Sequence, residues 1–233
     1  PGVVERLHAS PHVSELRLHD EDRPMTRPEL LERARGCRAI LAQLVDRVDA
    51  ELLAAAGPSL ELVANYAVGL DNVDVPACSA RGVLVSNTPD VLTEATADLT
   101  WALILAVARR VVEGDRLMRA GGYTGWSPTF FLGSDVSGKT LGLVGLGRIG
   151  TAVARRALGF RMRVLYASPS RKPHDVDVNA EHAPLERVLA ESDFVSLHCP
   201  MRASTRHLID ASRLRLMKPG AFLVNTSRGP LVD

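Results

Sequence analysis

Cysteine is sparse in this chain of 233 residues, where Cys37, Cys78 and Cys199 are far apart and odd in number. That pattern excludes a disulfide framework and any metal-type cysteine spacing, and it predicts free thiols in a reducing compartment, the cytoplasm. A dominant charge is lacking too. With 28 basic and 27 acidic residues the formal net charge is +1, so no global field favours nucleic acid or an anionic membrane, and the expected partner is a small molecule. Long apolar runs are also missing. The most hydrophobic stretch, WALILAVA from Trp101 to Ala108, is closed by Arg109 and Arg110. It falls far short of the ~20 residues needed to cross a bilayer, and reads as a buried helix. An initiator methionine and a secretion signal are absent as well, and the opening PGVVERLHAS reads like the interior of a longer protein.

What is present alternates. A helix around Val3 to His8 precedes VSELRLH, whose Val13, Leu16 and Leu18 give a weak strand pattern. In TRPELLERARG, Thr26 and Glu29 stand at capping-box spacing with Pro28 in the first turn and Gly36 as a stop. Strands over CRAILAQL, LELVANYAV and VLVSN alternate with helices in DAELLAAAG and in GLDNVDVPACSARG, where a turn leads into a short helix. TEATADLTWALILAVARRVVEGDRLMRAGG then reads as one long helix, apolar all round in its middle and stopped by Gly121 and Gly122, suited to a spine or a subunit interface. The alternation restarts at KTLGLVGLG and continues through MRVLYAS, PLERVLAES, DFVSLHC and GAFLVNTS. Strand and helix in this order predict α/β units with parallel strands, divided near residue 92.

GLVGLGRIG places Gly145, Gly147 and Gly150 in G-x-G-x-x-G spacing. Three spaced glycines are weak on their own; an apolar strand running in and the helical RIGTAVARRAL running out give them the context of a dinucleotide-binding turn. Gly145 is expected to make the tight turn, Gly147 to admit a pyrophosphate and Gly150 to let helix and strand pack. The amides of Arg148 and Ile149 then face the phosphates from a helix N-terminus.

A site preferring NAD places an acid about 20 residues further on, against the ribose 2′-hydroxyl. Here LYASPSRKP offers Ser168, Ser170, Arg171 and Lys172, and the next acid is Asp175. Hydroxyls and cations in place of a carboxylate favour NADP(H) over NAD(H); a solvated basic turn is the plainer alternative.

The blocks ANYAVGLDNVD, NTPDVLTEATADLTWALILAVARR, GKTLGLVGLGRIG, ESDFVSLHCP and LMKPGAFLVNTSRGPLVD resemble, in order, the signatures of the D-isomer-specific 2-hydroxyacid dehydrogenases, with the nearest likeness to the glyoxylate and hydroxypyruvate reductase branch. The resemblance implies a Rossmann dinucleotide-binding domain with a parallel sheet over residues 93–233, C-terminally incomplete. It also implies an incomplete flavodoxin-like α/β substrate domain over residues 1–92. It implies that Val68 and Gly69 hold a 2-oxo acid's carboxylate through backbone amides, and that Arg228 is the active-site arginine. On the cofactor side it implies Leu146 to Ile149 as the pyrophosphate loop, Ser168, Pro169 and Ser170 as the adenosine-side selector with Arg171 beside it, Cys199, Pro200 and Thr205 along the cofactor wall, and Thr226 to Arg228 under the nicotinamide. A homodimer, without nucleic acid or membrane, is the family expectation. An arginine at a strand end can bridge a carboxylate or stabilise a developing alkoxide; a surface arginine in a Gly-Pro turn is the bland alternative.

One function is missing from the sequence. The family's proton donor is a histidine paired with a glutamate, both on segments after the arginine block, and neither segment is present. None of the seven histidines fits that place, and His198 is better suited to shaping the cofactor wall. The chain as given is therefore expected to be truncated at both ends and inactive by itself, while the whole protein is expected to reduce glyoxylate to glycolate or hydroxypyruvate to D-glycerate. Rival readings are another D-2-hydroxyacid dehydrogenase, such as a phosphoglycerate enzyme, and a non-catalytic NAD(H)-sensing corepressor.

Overall fold

The structure, a computed structural model, describes residues 2–233. Two compact units divide between Pro89 and Asp90. In the first, the helices are α1 (Gly2–His8), α2 (Arg27–Ala34), α3 (Ala50–Ala56) and α4 (Val75–Ala80), and the strands are β1 (Ala39–Ala42), β2 (Leu62–Asn65) and β3 (Leu84–Ser86). The strands lie parallel in the order β1-β2-β3, with Ala39 beside Leu62 and Leu62 beside Leu84. Local chemistry starts and stops the helices. Glu29 accepts from the Thr26 amide at 2.7 Å and the Asp49 carboxylate accepts from the Leu52 amide at 3.1 Å, each satisfying N–H groups around the helix start. Leu30, Val48, Leu52, Leu53, Val63 and Cys78 fill the core between helices and sheet.

The strand expected from Val13 to Leu18 is not formed: those residues run as irregular chain. Arginine side chains, not a partner strand, link this segment to its surroundings. The Arg33 guanidinium donates to the Leu18 carbonyl, and Arg17 reaches back to the carbonyls of Arg33 at 3.2 Å and Arg35 at 2.7 Å. These bonds tie the segment to the end of α2 without a partner strand.

The second unit contains the helices α5 (Thr93–Ala108), α6 (Val111–Arg119), α7 (Arg148–Ala157), α8 (Leu185–Glu191) and α9 (Ala211–Leu214). Its strands are β4 (Thr140–Val144), β5 (Arg163–Ala167), β6 (Ala180–His182), β7 (Phe194–Leu197) and β8 (Phe222–Asn225), parallel in the order β6-β5-β4-β7-β8. The chain leaves β4 for β5 on one side and later returns to place β7 on the other. A crevice therefore opens beyond the carboxyl ends of β4 and β7, where ligands of open α/β sheets bind. Trp101 of α5 stacks on Phe160 with ring centroids 4.6 Å apart and donates to the Val153 carbonyl of α7 at 3.0 Å, which ties the two helices into one layer.

The single long helix expected from residue 93 to 122 is broken in two. The carbonyl of Ala108, which a continuing helix would offer to residue 112, accepts instead from the Ser134 amide at 2.7 Å. Arg110 then turns the chain at φ 54°, pairing with Glu113 and lying 4.3 Å over the Phe131 ring. The partner that ends the helix is distant in sequence, so no local pattern announces it. Nor is α5 buried all round. Ala97, Thr100, Trp101, Ile104 and Ala108 face the core, whereas Leu99, Leu103 and Val107 form an exposed stripe. Three-residue β6 carries His182 at its end.

Candidate active site

The glycine turn is shaped by what surrounds it. Gly145 follows β4 at φ 103°, and a Cβ there would lie 2.9 Å from the carbonyl carbon and oxygen of His198. Its amide donates to Ala167 at 2.8 Å, and His198 donates to Val144 at 2.8 Å, so the turn is wedged between the ends of β5 and β7. On Gly150 a Cβ would overlap the carbonyl oxygen of Gly145. Gly147 is different: its φ is −85° and a Cβ would meet nothing within 4 Å. Neither conformation nor internal packing demands a glycine at 147, and the space it leaves is open.

That space belongs to a cavity of about 610 Å³ lined by Leu146, Gly147, Arg148, Thr151, Lys172 and His174, among others. The first amides of α7, including Ile149, point along the helix axis with no intrahelical acceptor, and the helix dipole favours an anion there. The Thr151 hydroxyl, one turn after Gly147, is buried without a hydrogen-bond partner among the described residues. An open glycine, orphan amides and an unpartnered hydroxyl fit a pyrophosphate-bearing cofactor. Thr151 was not singled out from the sequence; its only signal is its place four residues after Gly147.

Beyond β5 the selector residues part company. Ser168 and Ser170 close a tight turn around Pro169, the Ser168 hydroxyl donating to the Ser170 carbonyl. Arg171 does not line the large cavity. Its guanidinium pairs with Asp175 at 2.8 Å beside a smaller cleft of about 250 Å³. Asp175 is 2% exposed and also accepts from the Tyr166 hydroxyl at 3.0 Å, while that hydroxyl accepts from the Lys172 amide at 2.8 Å. The hydrogen-bonded guanidinium of Arg171 holds the Asp175 carboxyl below its ordinary range. Lys172 and His174 border the glycine cavity in place of Arg171, and His174 Nε2 lies 3.1 Å from the Leu146 carbonyl oxygen.

The segment after β8 is braced at three points. Asn225 donates to the Arg228 carbonyl at 2.8 Å and accepts from the Ser227 amide at 2.9 Å. The Ser227 hydroxyl donates to the Cys199 carbonyl at 2.7 Å, and the Thr226 and Thr100 hydroxyls lie 2.9 Å apart. Arg228 thus leaves the sheet on a segment fixed to β7 and α5. Thr205 spends its hydroxyl on its own loop, donating to the Pro200 carbonyl at 2.8 Å and accepting from the Arg202 amide at 2.7 Å. Burial lowers His198 to about 4, leaving it neutral with Ser196 2.9 Å from its Nε2, and burial pushes the Cys199 thiol up.

In the first unit, the loop after β2 carries Val68 and Gly69. Its carbonyls are occupied: Ala67 accepts from the Thr88 amide at 2.9 Å, Val68 from Asn87 Nδ2 at 2.9 Å and Gly69 from Asn65 Nδ2 at 2.8 Å. The amide N–H groups of Val68, Gly69 and Leu70 donate to no acceptor among the described residues. The sequence reading located this loop but not the asparagines that hold it.

Residues 101–233 match the family profile described as the D-isomer specific 2-hydroxyacid dehydrogenase NAD binding domain. A glyoxylate reductase of Thermococcus onnurineus is 49% identical over 224 residues, covering 94% of this chain and 67% of the relative. One of Korarchaeum cryptofilum is 52% identical over 221 residues, covering 94% and 66%. The crystal structure of the TT0316 protein from Thermus thermophilus superposes with a TM-score of 0.84 at 50% identity, over 90% of this chain and 66% of that one. The chain spans about two thirds of the length of these relatives. Among the described residues no helix is long and apolar enough to cross a membrane. With the glycine turn at the switch point of a five-stranded parallel sheet and the profile covering more than half of its length, the chain belongs to the D-isomer specific 2-hydroxyacid dehydrogenases.

Proposed function

We propose that the protein carrying this chain reduces a small 2-oxo acid, glyoxylate to glycolate or hydroxypyruvate to D-glycerate, with NADP(H) preferred to NAD(H). The observation that carries the reading is the crevice beyond β4 and β7, where the open cradle at Gly147 and the braced Arg228 segment share one end of one sheet. Relatives about half identical are named glyoxylate reductases.

A bound reduced nicotinamide cofactor supplies the hydride. The chain's own residues supply the rest: Leu146 to Ile149 and Thr151 hold the pyrophosphate, and Pro200 and Cys199 wall the crevice. Arg228 binds the carboxylate or stabilises charge developing on the keto oxygen. Val68 and Gly69 receive the substrate carboxylate through their amides. His198, held neutral, shapes the wall. The cofactor preference rests on Asp175. The first acid after the selector turn is turned inward to Arg171 and Tyr166, which leaves Ser168, Ser170, Arg171 and Lys172 to meet a 2′-phosphate. Leu99, Leu103 and Val107 offer an apolar stripe on which a homodimer could form, and the three free cysteines suit the cytoplasm.

The test is the product of the complete reading frame, assayed with glyoxylate and hydroxypyruvate against NADPH and NADH. Turnover of both acids is expected, with Arg228→Ala lowering kcat/KM about 1,000-fold. Lys172→Ala is expected to raise the KM for NADPH about tenfold and leave that for NADH unchanged. Absence of 2-oxo acid reduction discards the reaction; equal kcat/KM for the two cofactors discards the preference.

A further inference from the structure

Two asparagine side chains beneath the β2 loop face each other as a reciprocal amide pair. Asn65 Nδ2 donates to Asn72 Oδ1 at 3.2 Å, and Asn72 Nδ2 returns the bond to Asn65 Oδ1 at 3.1 Å. Each amide has one further hydrogen to give. That of Asn65 goes to the Gly69 carbonyl at 2.8 Å; that of Asn72 is shared between the Gln43 and Asp46 carbonyls after β1, both at 3.0 Å. Asn65 is only 2% exposed, so neither water nor a rotated side chain can readily replace these bonds.

We propose that Asn65 and Asn72 are positioning residues for the substrate carboxylate, fixing the peptide planes of the β2 loop so that its amides face outward. The inference rests on the reading of Val68 and Gly69 as the carboxylate-binding loop. In a trans peptide the N–H points opposite to the C=O. Drawing the Gly69 carbonyl in toward Asn65 therefore turns the Leu70 N–H away, as the bonds from Asn87 and Thr88 turn away those of Gly69 and Val68. Three successive carbonyls are held by the protein and three successive N–H groups are left to an anion. Asparagine is specifically required. Aspartate at 65 has no hydrogen to give and sets an oxygen against the Gly69 carbonyl, which favours rotation of that peptide. Asn72 extends the same register to the β1 loop by bonding two of its carbonyls at once.

The variants Asn65→Asp and Asn72→Ser, made in the product of the complete reading frame, test this. Steady-state kinetics compare glyoxylate with its uncharged amide, glyoxylamide, and fluorescence titration reports NADPH affinity. For both variants the KM for glyoxylate is expected to rise about tenfold with kcat within about twofold, because ground-state and transition-state binding of the carboxylate are lost alike. The KM for glyoxylamide and the NADPH dissociation constant are expected to stay unchanged. An unchanged glyoxylate KM overturns the proposal, and so does an equal loss for acid and amide, which marks a purely structural pair. Asn72→Ser, at a less buried position, keeps the test open should Asn65→Asp misfold. A wild-type enzyme that does not favour the acid over the amide overturns the loop reading itself, and this inference with it.

Discussion

At the end of β4 the backbone takes its shape from side chains that are missing, and at the end of β2 from side chains that are present. Gly145 and Gly150 allow main chain to touch main chain at distances no Cβ would permit, and Gly147 keeps space open. Around Val68 and Gly69, Asn87 and Asn65 hold the loop by its carbonyls, and Asn72 holds Asn65. The difference follows from what each turn must do. A helix N-terminus already aims several amides in one direction, so it needs only clearance. An irregular loop has no such order of its own, and each peptide plane must be set by a separate hydrogen bond.

The contrast breaks first at Gly145. Alanine there must adopt φ 103° and push its Cβ against the His198 backbone, which the sheet holds in place. A loss of about 4 kcal/mol in unfolding free energy is expected, with cofactor binding abolished. A denaturation midpoint close to wild type would mean that the turn can relax and that its closeness is not obligatory.

His198 tests the same wedge through pH. Burial lowers its folded pKa to about 4 from the ordinary 6.5, so between those values the unfolded chain binds more protons than the folded one. Stability is therefore complete above pH 6.5 and falls as the pH drops toward 4, by roughly 3 kcal/mol in total and about 2 kcal/mol between pH 7 and pH 5. The His198→Gln variant should lose that part of the slope in urea titrations. Equal slopes for variant and wild type would place His198 in solvent.

The same contrast explains what could be read from the sequence. Missing side chains leave a signature: three glycines at fixed spacing between a strand and a helix are legible, and so is the alternation that orders β4 to β8. The resemblance located the 66–71 loop and Arg228 as well. The loop's support was not legible, because Asn65 and Asn72 are ordinary residues until folding pairs them, and neither has a periodic or spaced pattern. Long-range partners also defeated two local expectations. The Ser134 amide ends α5 from 26 residues away, and the segment that alternation alone had suggested was a strand is tied to the end of α2, Arg33 donating to the Leu18 carbonyl and Arg17 to that of Arg35. Nor does the sequence announce that Arg171 pairs with the buried Asp175, or that Lys172 and His174 border the glycine cavity.

Gly147 sharpens the comparison, since its clearance serves no internal contact. Alanine at 147 finds open space at an ordinary φ of −85°, so the unfolding free energy should stay within about 0.5 kcal/mol of wild type. NADPH affinity should fall about tenfold or more, because the added methyl occupies the approach to the first amides of α7. Stability lost together with affinity would assign the glycine to folding; neither lost would move the pyrophosphate elsewhere.

The smallest effect is expected where the second unit departs from its own rule and uses a side-chain brace. Thr100, fully buried on α5, donates to the Thr96 carbonyl at 2.8 Å and meets the Thr226 hydroxyl at 2.9 Å. Since its single hydrogen goes to the Thr96 carbonyl, Thr226 must be the donor of the pair, with Thr100 oxygen as acceptor. Thr100→Val keeps the shape but leaves that donor unsatisfied, and should lower stability by about 1 kcal/mol. Thr100→Ser keeps the hydroxyl and should recover most of it. Because Thr226 begins the segment that carries Arg228, the valine variant should also raise the glyoxylate KM a few-fold while serine does not. Should valine and serine behave alike in both measurements, the brace is packing alone, and the second unit shapes its ligand-facing backbone without side-chain hydroxyls from α5.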